Sequence, residues 1–163
     1  MNMTIRKADE KDFDKISKLL YQVQKVHSDA RPDLFRQGAK KYDDNDLKDI
    51  LEDGQKEIFV ATDEQDSVVG YAFCIIELID SSIQRKRKTL YIDDLCVDET
   101  VRGQHIGMAL YDYVLEFAWE IGCYNVTLNV WADNKDAVHF YEKIGMHIQK
   151  IGMEKILHSA DDV

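Results

Sequence analysis

The chain has 163 residues and a mass of 18.9 kDa, which is the size of one ordinary domain and leaves no room for two. Hydrophobic residues make up 45% and charged residues 32% of it, a composition typical of a soluble globular domain and not of a disordered chain. Its 21 lysines and arginines against 31 aspartates and glutamates leave a net charge of −10, which argues against nucleic acid or an anionic membrane as the main partner.

The hydrophobic period along the chain alternates between values typical of strands and of helices. The predicted elements, in chain order, are a strand at Thr4–Lys7, helices at Asp9–His27 and Asp43–Asp53, strands at Glu57–Thr62, Val68–Ile79 and Leu90–Val97, a helix at His105–Ile121, a strand at Tyr124–Trp131, a helix at Lys135–Ile144 and a strand-like segment at His147–Leu157. Ser28–Lys41 and the basic run Gln84–Lys88 are predicted as loops, and residues 158–163 as a frayed tail.

The order of these elements predicts the topology. Short loops join the strands Glu57–Thr62, Val68–Ile79 and Leu90–Val97, which should therefore form an antiparallel meander. The strand–helix–strand unit from Leu90 to Trp131 should pair its two strands in parallel through a right-handed crossover. We expect one α/β domain over residues 1–163, with a mixed, mostly antiparallel sheet and helices on both faces.

The three cysteines indicate whether the protein works in a reducing or an oxidising compartment. Cys74, Cys96 and Cys123 cannot all pair, lie in apolar runs and show no CxxC spacing, which favours free thiols in a reducing setting. No apolar signal core precedes Asp12, and the longest apolar run, Val68–Ile76, is far shorter than the ~20 residues of a membrane span. We therefore predict a cytoplasmic protein, and with no His, Cys and carboxylate cluster at metal-ligand spacing we predict no metal.

The segment from Val97 to Leu110 is the strongest local signal for a bound anion. A buried strand ends there, a polar turn follows, and a loop with Gly103 and Gly107 opens a long helix. Such a helix start offers unpaired N–H groups and the positive end of the helix dipole, the glycines allow close approach, and Arg102 adds a cation. The pattern favours a phosphate site, while a tight strand-to-helix turn that binds nothing is the alternative.

Two known phosphate loops fit this segment poorly. A kinase-type P-loop needs Lys followed by Ser or Thr after its last glycine, where this chain has Met108 and Ala109. A dinucleotide fingerprint needs three glycines after the first strand of a parallel series, and this loop follows an antiparallel meander.

An acidic pair interrupts the otherwise apolar strand Leu90–Val97. Aspartate is depleted in strands, and adjacent strand residues point to opposite faces, so Asp93 and Asp94 cannot both be solvated if helices cover the sheet. Either one carboxylate bonds loop backbone and the other meets water near the strand end, or at least one faces a substrate cleft. There a carboxylate could bind an ammonium and take its proton.

The glycine loop resembles the pyrophosphate-binding signature of the GNAT acetyltransferases. Residues 102–107, Arg-Gly-Gln-His-Ile-Gly, match its Q/R-x-x-G-x-G/A pattern except that His105 stands where the first glycine is usual. Residues 134–146 are similar to the family's N-x-x-A-x-x-F-Y-x-x-x-G-F segment, with Met146 in place of the final Phe. Residues 91–97 resemble the family's fourth strand, and the likeness runs from residue 5 to about residue 157.

That resemblance implies an N-acetyltransferase that moves an acetyl group from acetyl-CoA to a primary amine by direct attack through a tetrahedral intermediate. It implies that acetyl-CoA is held by the strand end, the loop, the helix start and the second motif: Leu95, Cys96, Val97, Arg102, Gly103, Gln104, His105, Ile106, Gly107, Met108, Asn134 and Tyr141. It further implies that Tyr141 protonates the departing CoA thiolate, which suits a phenol with a pKa of ~10.

The acidic strand is similar to that of polyamine acetyltransferases, in which an acidic pair handles the acceptor amine. By this resemblance Asp93 is the base and Asp94 a substrate or structural anchor. His27 lies where the family builds its acceptor pocket, although a helix-end histidine interacting with the dipole explains it equally well. The acidic helix Asp43–Asp53 is either a solvated face or the rim of a cationic acceptor site.

Two other function classes stay open: an acyl-CoA-binding sensor without turnover, and another nucleotide-binding enzyme. Within the acetyltransferase class, the acceptor could be a polyamine, a lysine-like small amine, an aminoglycoside-type drug or a protein amine. We expect a small-molecule amine as partner, no nucleic acid or membrane, and a homodimer, which is common where the resemblance points.

Overall fold

The computed structural model of the chain describes residues 2–162, so Met1 and Val163, the ends of the predicted domain, lie outside the described residues. The strands are β1 (Thr4–Lys7), β2 (Lys56–Thr62), β3 (Val68–Ile79), β4 (Arg87–Val97) and β5 (Asn125–Leu128). The helices are α1 (Phe13–Ala30), α2 (Asp44–Glu52), α3 (Ile106–Glu120) and α4 (Lys135–Lys143). Short 3-10 turns lie at Glu10–Asp12, Glu99–Val101 and Ala160–Asp162.

The five strands form one mixed sheet in the order β1-β2-β3-β4-β5. The pairs from β1 to β4 are antiparallel, and β4 pairs with β5 in parallel. The predicted meander and the predicted parallel unit across α3 are therefore confirmed, and the molecule is a single α/β domain. Loop length decides this outcome, because a short loop can join only antiparallel neighbours and a parallel pair needs a crossover.

Helices cover both faces of this sheet, as predicted. One apolar cluster packs α1 and α2 on one face and includes Leu20, Leu47 and Tyr71; the other packs α3 on the opposite face and includes Phe59 and Leu110. Strand β3 is buried without alternation from Val68 to Cys74, which is the pattern of a strand covered on both sides.

Two element boundaries differ from those predicted. The basic run Gln84–Lys88 is not wholly a loop, because β4 begins at Arg87 and pairs Arg87 and Lys88 with the end of β3. The long β3 supplies backbone partners that outweigh the weak strand propensity of these charged residues. At the other end of the sheet, β5 is only Asn125–Leu128, shorter than the predicted Tyr124–Trp131.

The prediction of a strand-like segment at His147–Leu157 is wrong. In the described structure the segment forms no ladder, and each of its residues is exposed. A strand needs a neighbour to take up its backbone hydrogen bonds, so its sequence pattern alone cannot create one. Part of the predicted frayed tail, Ala160–Asp162, is a 3-10 turn. None of the described helices is long and apolar enough to span a bilayer.

Candidate active site

Strand β4 carries a bulge at its acidic pair. Ile92 lies opposite Cys74 and Asp94 lies opposite Phe73, so Asp93 is an extra residue with no partner in β3. An extra residue breaks the alternation of side chains and re-aims those next to it. The bulge thus changes which face of the sheet each carboxylate reaches.

Both carboxylates reach the face that α1 and α2 cover. The Tyr42 hydroxyl donates to Asp93 Oδ2 at 2.5 Å and Lys41 Nζ donates to the same oxygen at 2.8 Å. The Tyr71 hydroxyl donates to Asp94 Oδ2 at 2.7 Å. Tyr71 is a member of the cluster under α1 and α2, and Tyr42 packs against that cluster. The expectation that the two aspartates point to opposite faces is therefore wrong, because it assumed an unbroken strand.

The two carboxylates differ in their surroundings. Burial raises the pKa of Asp94 to about 6, and the neighbouring Asp93 adds to the rise, against the Tyr71 hydrogen bond and the Lys41 charge. Asp93 already holds an ammonium and a phenol on one oxygen. Asp94 is thus a carboxyl that can change protonation near neutral pH, and Asp93 is a bound anchor for a cation.

Tyr141 lies on α4, whose start is capped by Asn134: its side chain accepts from the Ala137 amide at 3.3 Å. Among residues 2–162 no hydrogen-bond partner is found for the Tyr141 hydroxyl. Its oxygen is not fully shielded from solvent. Burial first, then the Asp94 carboxylate, raises the pKa of Tyr141 above its ordinary value. The phenol therefore stays protonated at neutral pH and has its proton free to donate.

The pairing between strands β4 and β5 ends beside the acidic pair. Their parallel pairing ends where Ile92 meets Leu128, whereas β4 continues to Val97. Beyond this point the β4 backbone pairs with β3 on one side, and no strand within residues 2–162 lies on the other. The opening exposes backbone donors and acceptors along β4 at 93–97, which can bind an extended, amide-containing ligand.

The glycine loop lies between this opening and α3. Gly103 has φ +82°, and a Cβ added there would meet nothing within 4 Å, so the loop presents open space. His105, directly before α3, has φ 61°. Glycine takes a positive φ at no steric cost, which explains why the resembling motif carries glycine at this position. Arg102 is exposed, and its Nε donates to the Val97 carbonyl at 3.5 Å.

Gly107 lies in the first turn of α3, against α4 and the end of β4. A Cβ there would meet Phe140 and Val97 at 3.5 Å, an ordinary contact distance, so packing does not by itself require glycine at this position. Ile106 and Cys96 are buried in the two cores, which leaves only their backbones to meet a ligand. Gln104 and Met108 are exposed at the loop and helix start, as are Arg102, Gly103 and His105.

His27 belongs to an aromatic row beside the acidic pair. Its ring stacks on Phe35 at 5.3 Å between centroids, and Phe35 meets the edge of Trp131 at 5.3 Å. Burial, followed by the nearby Lys41 charge, lowers the pKa of His27. The structure therefore brings His27 and its downstream loop close to the cation that sits on Asp93.

Asp93 also lines a cavity of 270 Å³. Its lining combines residues of α2, the loop before it and the sheet: Tyr42, Asp46, Asp49, Ile50, Lys56, Phe73, Cys74, Ile75 and Asp93. Three of these are aspartates against one lysine, so α2 forms an acidic rim. In the part of the chain that the structure describes, no cluster of metal-ligating side chains is found.

Sequence reasoning missed Lys41, Tyr42 and Tyr71. The first two lie in a segment with no periodic pattern, and Tyr71 is indistinguishable from a core aromatic within an apolar strand. Only the fold shows that all three surround the acidic pair. A polar-tipped aromatic in a strand buried on both faces was the one usable signal, because a buried phenol needs a partner.

The chain matches known proteins over most of its length. The model described as "Acetyltransferase (GNAT) family" matches residues 20–146. A glucosamine 6-phosphate N-acetyltransferase from Arabidopsis thaliana is 27% identical over 112 residues, covering 69% of this chain and 73% of that protein. A peptidyl-lysine N-acetyltransferase from Salmonella typhimurium is 30% identical over 105 residues, covering 63% of this chain and 60% of that protein.

A solved structure agrees with the fold. A mutant of the BH1408 protein from Bacillus halodurans superposes with a TM-score of 0.91 at 29% identity, over 95% of this chain and 99% of that chain. The match includes the mixed five-stranded sheet that positions the acidic pair and the glycine loop.

Proposed function

Since the chain belongs to the acetyltransferase (GNAT) family, we propose that it transfers the acetyl group of acetyl-CoA to the primary amine of a small cationic acceptor. The observation that carries this proposal is the acidic pair, because the bulge at Asp93 turns two carboxylates toward one face, beside an acidic cavity. The two named relatives act on different amines, so their names do not identify an acceptor class for this chain. We therefore argue the acceptor class from the chemistry of the site.

The glycine loop fits a pyrophosphate. Open space at Gly103, the exposed Arg102 and the amides at the start of α3 supply the donors and the cation that such a group needs. The side of β4 at 93–97 that faces away from β3, where the pairing with β5 has ended, fits the amide-containing arm of the same molecule. Acetyl-CoA bound in this way supplies the acetyl thioester, and these residues hold it beside the acceptor.

We assign the proton transfers to Asp94 and Tyr141. An acceptor ammonium docks on Asp93, where Lys41 now rests, and loses a proton to Asp94. Its nitrogen then attacks the acetyl carbon and forms the C–N bond of a tetrahedral intermediate. When that intermediate collapses, the C–S bond breaks with its electron pair on sulfur and Tyr141 donates its proton to the departing sulfur. The nitrogen loses its second proton to solvent, and solvent returns a proton to Tyr141. The sequence analysis favoured Asp93 as the base. We assign that role to Asp94 instead, because Asp93 already binds the Lys41 ammonium.

An acceptor panel tests the proposal. Free CoA thiol would be measured with acetyl-CoA and spermidine, free lysine, a lysine peptide, an aminoglycoside or glucosamine 6-phosphate. The acidic surroundings predict the highest kcat/KM for a polycationic amine. A preference for the sugar phosphate would overturn the cationic acceptor class. Binding of acetyl-CoA without thiol release for any amine would instead support the sensor alternative.

A protein lysine is the second candidate acceptor. The contact of Lys41 with Asp93 supports this candidate, because an ε-ammonium on a four-carbon stem already lies against that carboxylate. The lysine peptide in the panel separates this candidate from free polyamines.

Lys41 should compete with a cationic acceptor for Asp93. We expect Lys41→Ala to lower KM for such an acceptor about fivefold with little change in kcat, which corresponds to ~1 kcal/mol for a partly exposed ion pair. Lys40→Ala is the matched control, since Lys40 instead donates to Ser17 Oγ at 3.1 Å. A KM that rises, or that falls equally in both variants, would show that Lys41 is not a competitor.

A further inference from the structure

Lys41 is the lysine that lies against the acidic pair. Its Nζ is 2.8 Å from Asp93 Oδ2, and the Asp93 side chain is only 14% exposed. Within residues 2–162 no other lysine is ion-paired to either member of the pair; the lysines at 7, 11, 25 and 56 contact carboxylates elsewhere. The Lys41 ammonium therefore lies where the proposed function places the amine of the acceptor.

The loop before α2 holds Lys41 in this position. The next residue, Tyr42, stacks on Phe73 with 5.3 Å between ring centroids, and its hydroxyl donates to the same Asp93 oxygen. Lys41 Nζ also lies 5.4 Å from the centre of the Tyr42 ring. Because these contacts fix the amine within the chain, it has a large advantage in effective concentration over a free amine.

The proposed base and the proposed acid lie near this amine. Burial raises the pKa of Asp94 to about 6, and the Lys41 charge is among the groups that oppose the rise. Burial first, then the Asp94 charge, raises the pKa of Tyr141. The influence of one charge on another falls with distance, so the amine, the base and the acid share one site.

We propose that Lys41 is a self-acetylation site, at which its amine accepts the acetyl group of acetyl-CoA bound to the same chain. The inference rests on the proposed function, because it uses the same acetyl donor, base and acid. It adds an acceptor that belongs to the protein itself and that is consumed once per chain.

The reaction converts the Lys41 ammonium into a neutral amide. The ammonium gives one proton to Asp94, and the nitrogen lone pair then attacks the acetyl carbon to form the new C–N bond. As the C–S bond breaks, its electron pair stays on sulfur, which takes a proton from Tyr141. The nitrogen and Asp94 each release a proton to solvent, and Tyr141 recovers one, so the products are the amide, CoA thiol and one proton.

Mass spectrometry after incubation with acetyl-CoA alone tests the inference. The chain is made by cell-free synthesis from purified components, so that it starts without acetyl groups. The wild type should gain the mass of one acetyl group, and fragmentation of the peptide should place it on Lys41 in about tenfold or greater excess over Lys40. An unlabelled Lys41, or equal labelling of the two lysines, would overturn the inference.

Two substitutions are matched to this measurement. Lys40→Arg should be acetylated like the wild type, because Lys40 instead donates to Ser17 Oγ at 3.1 Å. Lys41→Arg should gain no acetyl group, since a guanidinium stays protonated and can keep the contact with Asp93. Full labelling of Lys41→Arg would show that another residue is the acceptor.

Rates and unfolding separate self-acetylation from random acylation. The first-order rate should not depend on protein concentration, and Lys40 and Lys41 should react equally in a chain unfolded by urea. A rate proportional to protein concentration would overturn the intramolecular step. A preference for Lys41 that persists in urea would also overturn the inference, because local sequence and not the folded site would cause it.

The acceptor panel distinguishes failure of this inference from failure of the proposed function. Thiol release with a panel amine, but no acetyl group on Lys41, overturns the inference alone. An acetylated Lys41 without turnover of any panel amine supports the inference and overturns the small acceptor. The absence of both reactions overturns both proposals.

Discussion

Replacing Tyr141 with Phe should reduce kcat by about 10²- to 10⁴-fold, the usual contribution of a positioned general acid. The substitution removes only the hydroxyl, which donates no hydrogen bond to any described residue. The free energy of unfolding should therefore not change. Without that proton, the departing CoA thiolate must leave as an anion in a site where burial disfavours charge. Thiol release measures kcat, and calorimetry with CoA measures cofactor affinity, which should stay within about twofold.

Tyr124→Phe is the matched control for this variant. Tyr124 is 78% exposed just before β5, so losing its hydroxyl should leave kcat unchanged. Undiminished turnover of the Tyr141 variant across all acceptors would remove Tyr141 from the mechanism. Equal loss of turnover and of CoA affinity would mean that it binds cofactor and does not act as an acid.

Replacing Asp94 with Asn should have the second largest effect. Burial raises the pKa of Asp94 to about 6, and a base must be deprotonated to act. The wild-type kcat/KM should therefore fall as pH drops through about 6, and the variant should lose both most of its activity, ~10²-fold or more, and this pH dependence. Initial rates between pH 5 and 8 measure the profile.

Asp93→Asn separates the two carboxylates. If Asp93 is an anchor, this variant should raise KM for a cationic amine while keeping the fall in activity below pH 6. The reverse outcome, in which Asp93→Asn loses the pH dependence and Asp94→Asn keeps it, would restore Asp93 as the base.

The Asp94 variant also has a readout that needs no substrate. Burial on folding raises the pKa of this carboxyl above its ordinary value, so the folded state favours the protonated form. The stability from this group is thus fully present below pH ~4 and is lost as pH rises through about 6. Asn cannot ionise, so the variant should become more stable than the wild type between pH 4 and 7, by up to ~3 kcal/mol. Urea unfolding at several pH values measures it.

Much of the fold followed from patterns that are local in sequence. The spacing of apolar residues marked α1 and α3, and short loops between β2, β3 and β4 could produce only an antiparallel meander. Gly103 and the residues around it marked the loop that we propose as the pyrophosphate site, because a turn with a positive φ is a property of a few consecutive residues.

The failures share a different cause. The segment at 147–157 was predicted to be strand-like, but a strand exists only where another backbone accepts its hydrogen bonds. Likewise, Arg87 and Lys88 joined β4 because β3 offered partners that far along. Whether such a segment forms a strand depends on a partner segment that is distant in sequence. A short stretch of local sequence does not contain that partner.

The sequence by itself determined the α/β class, the order of elements, the glycine loop and the presence of an acidic pair in a buried strand. The tertiary structure alone decided that Asp93 and Asp94 share a face, because the bulge arises from the register against β3. It also decided that Lys41 and Tyr42 cover Asp93, a contact across about fifty residues of chain. Local propensity cannot specify register or distant partners, since both are set by the packing of the whole domain.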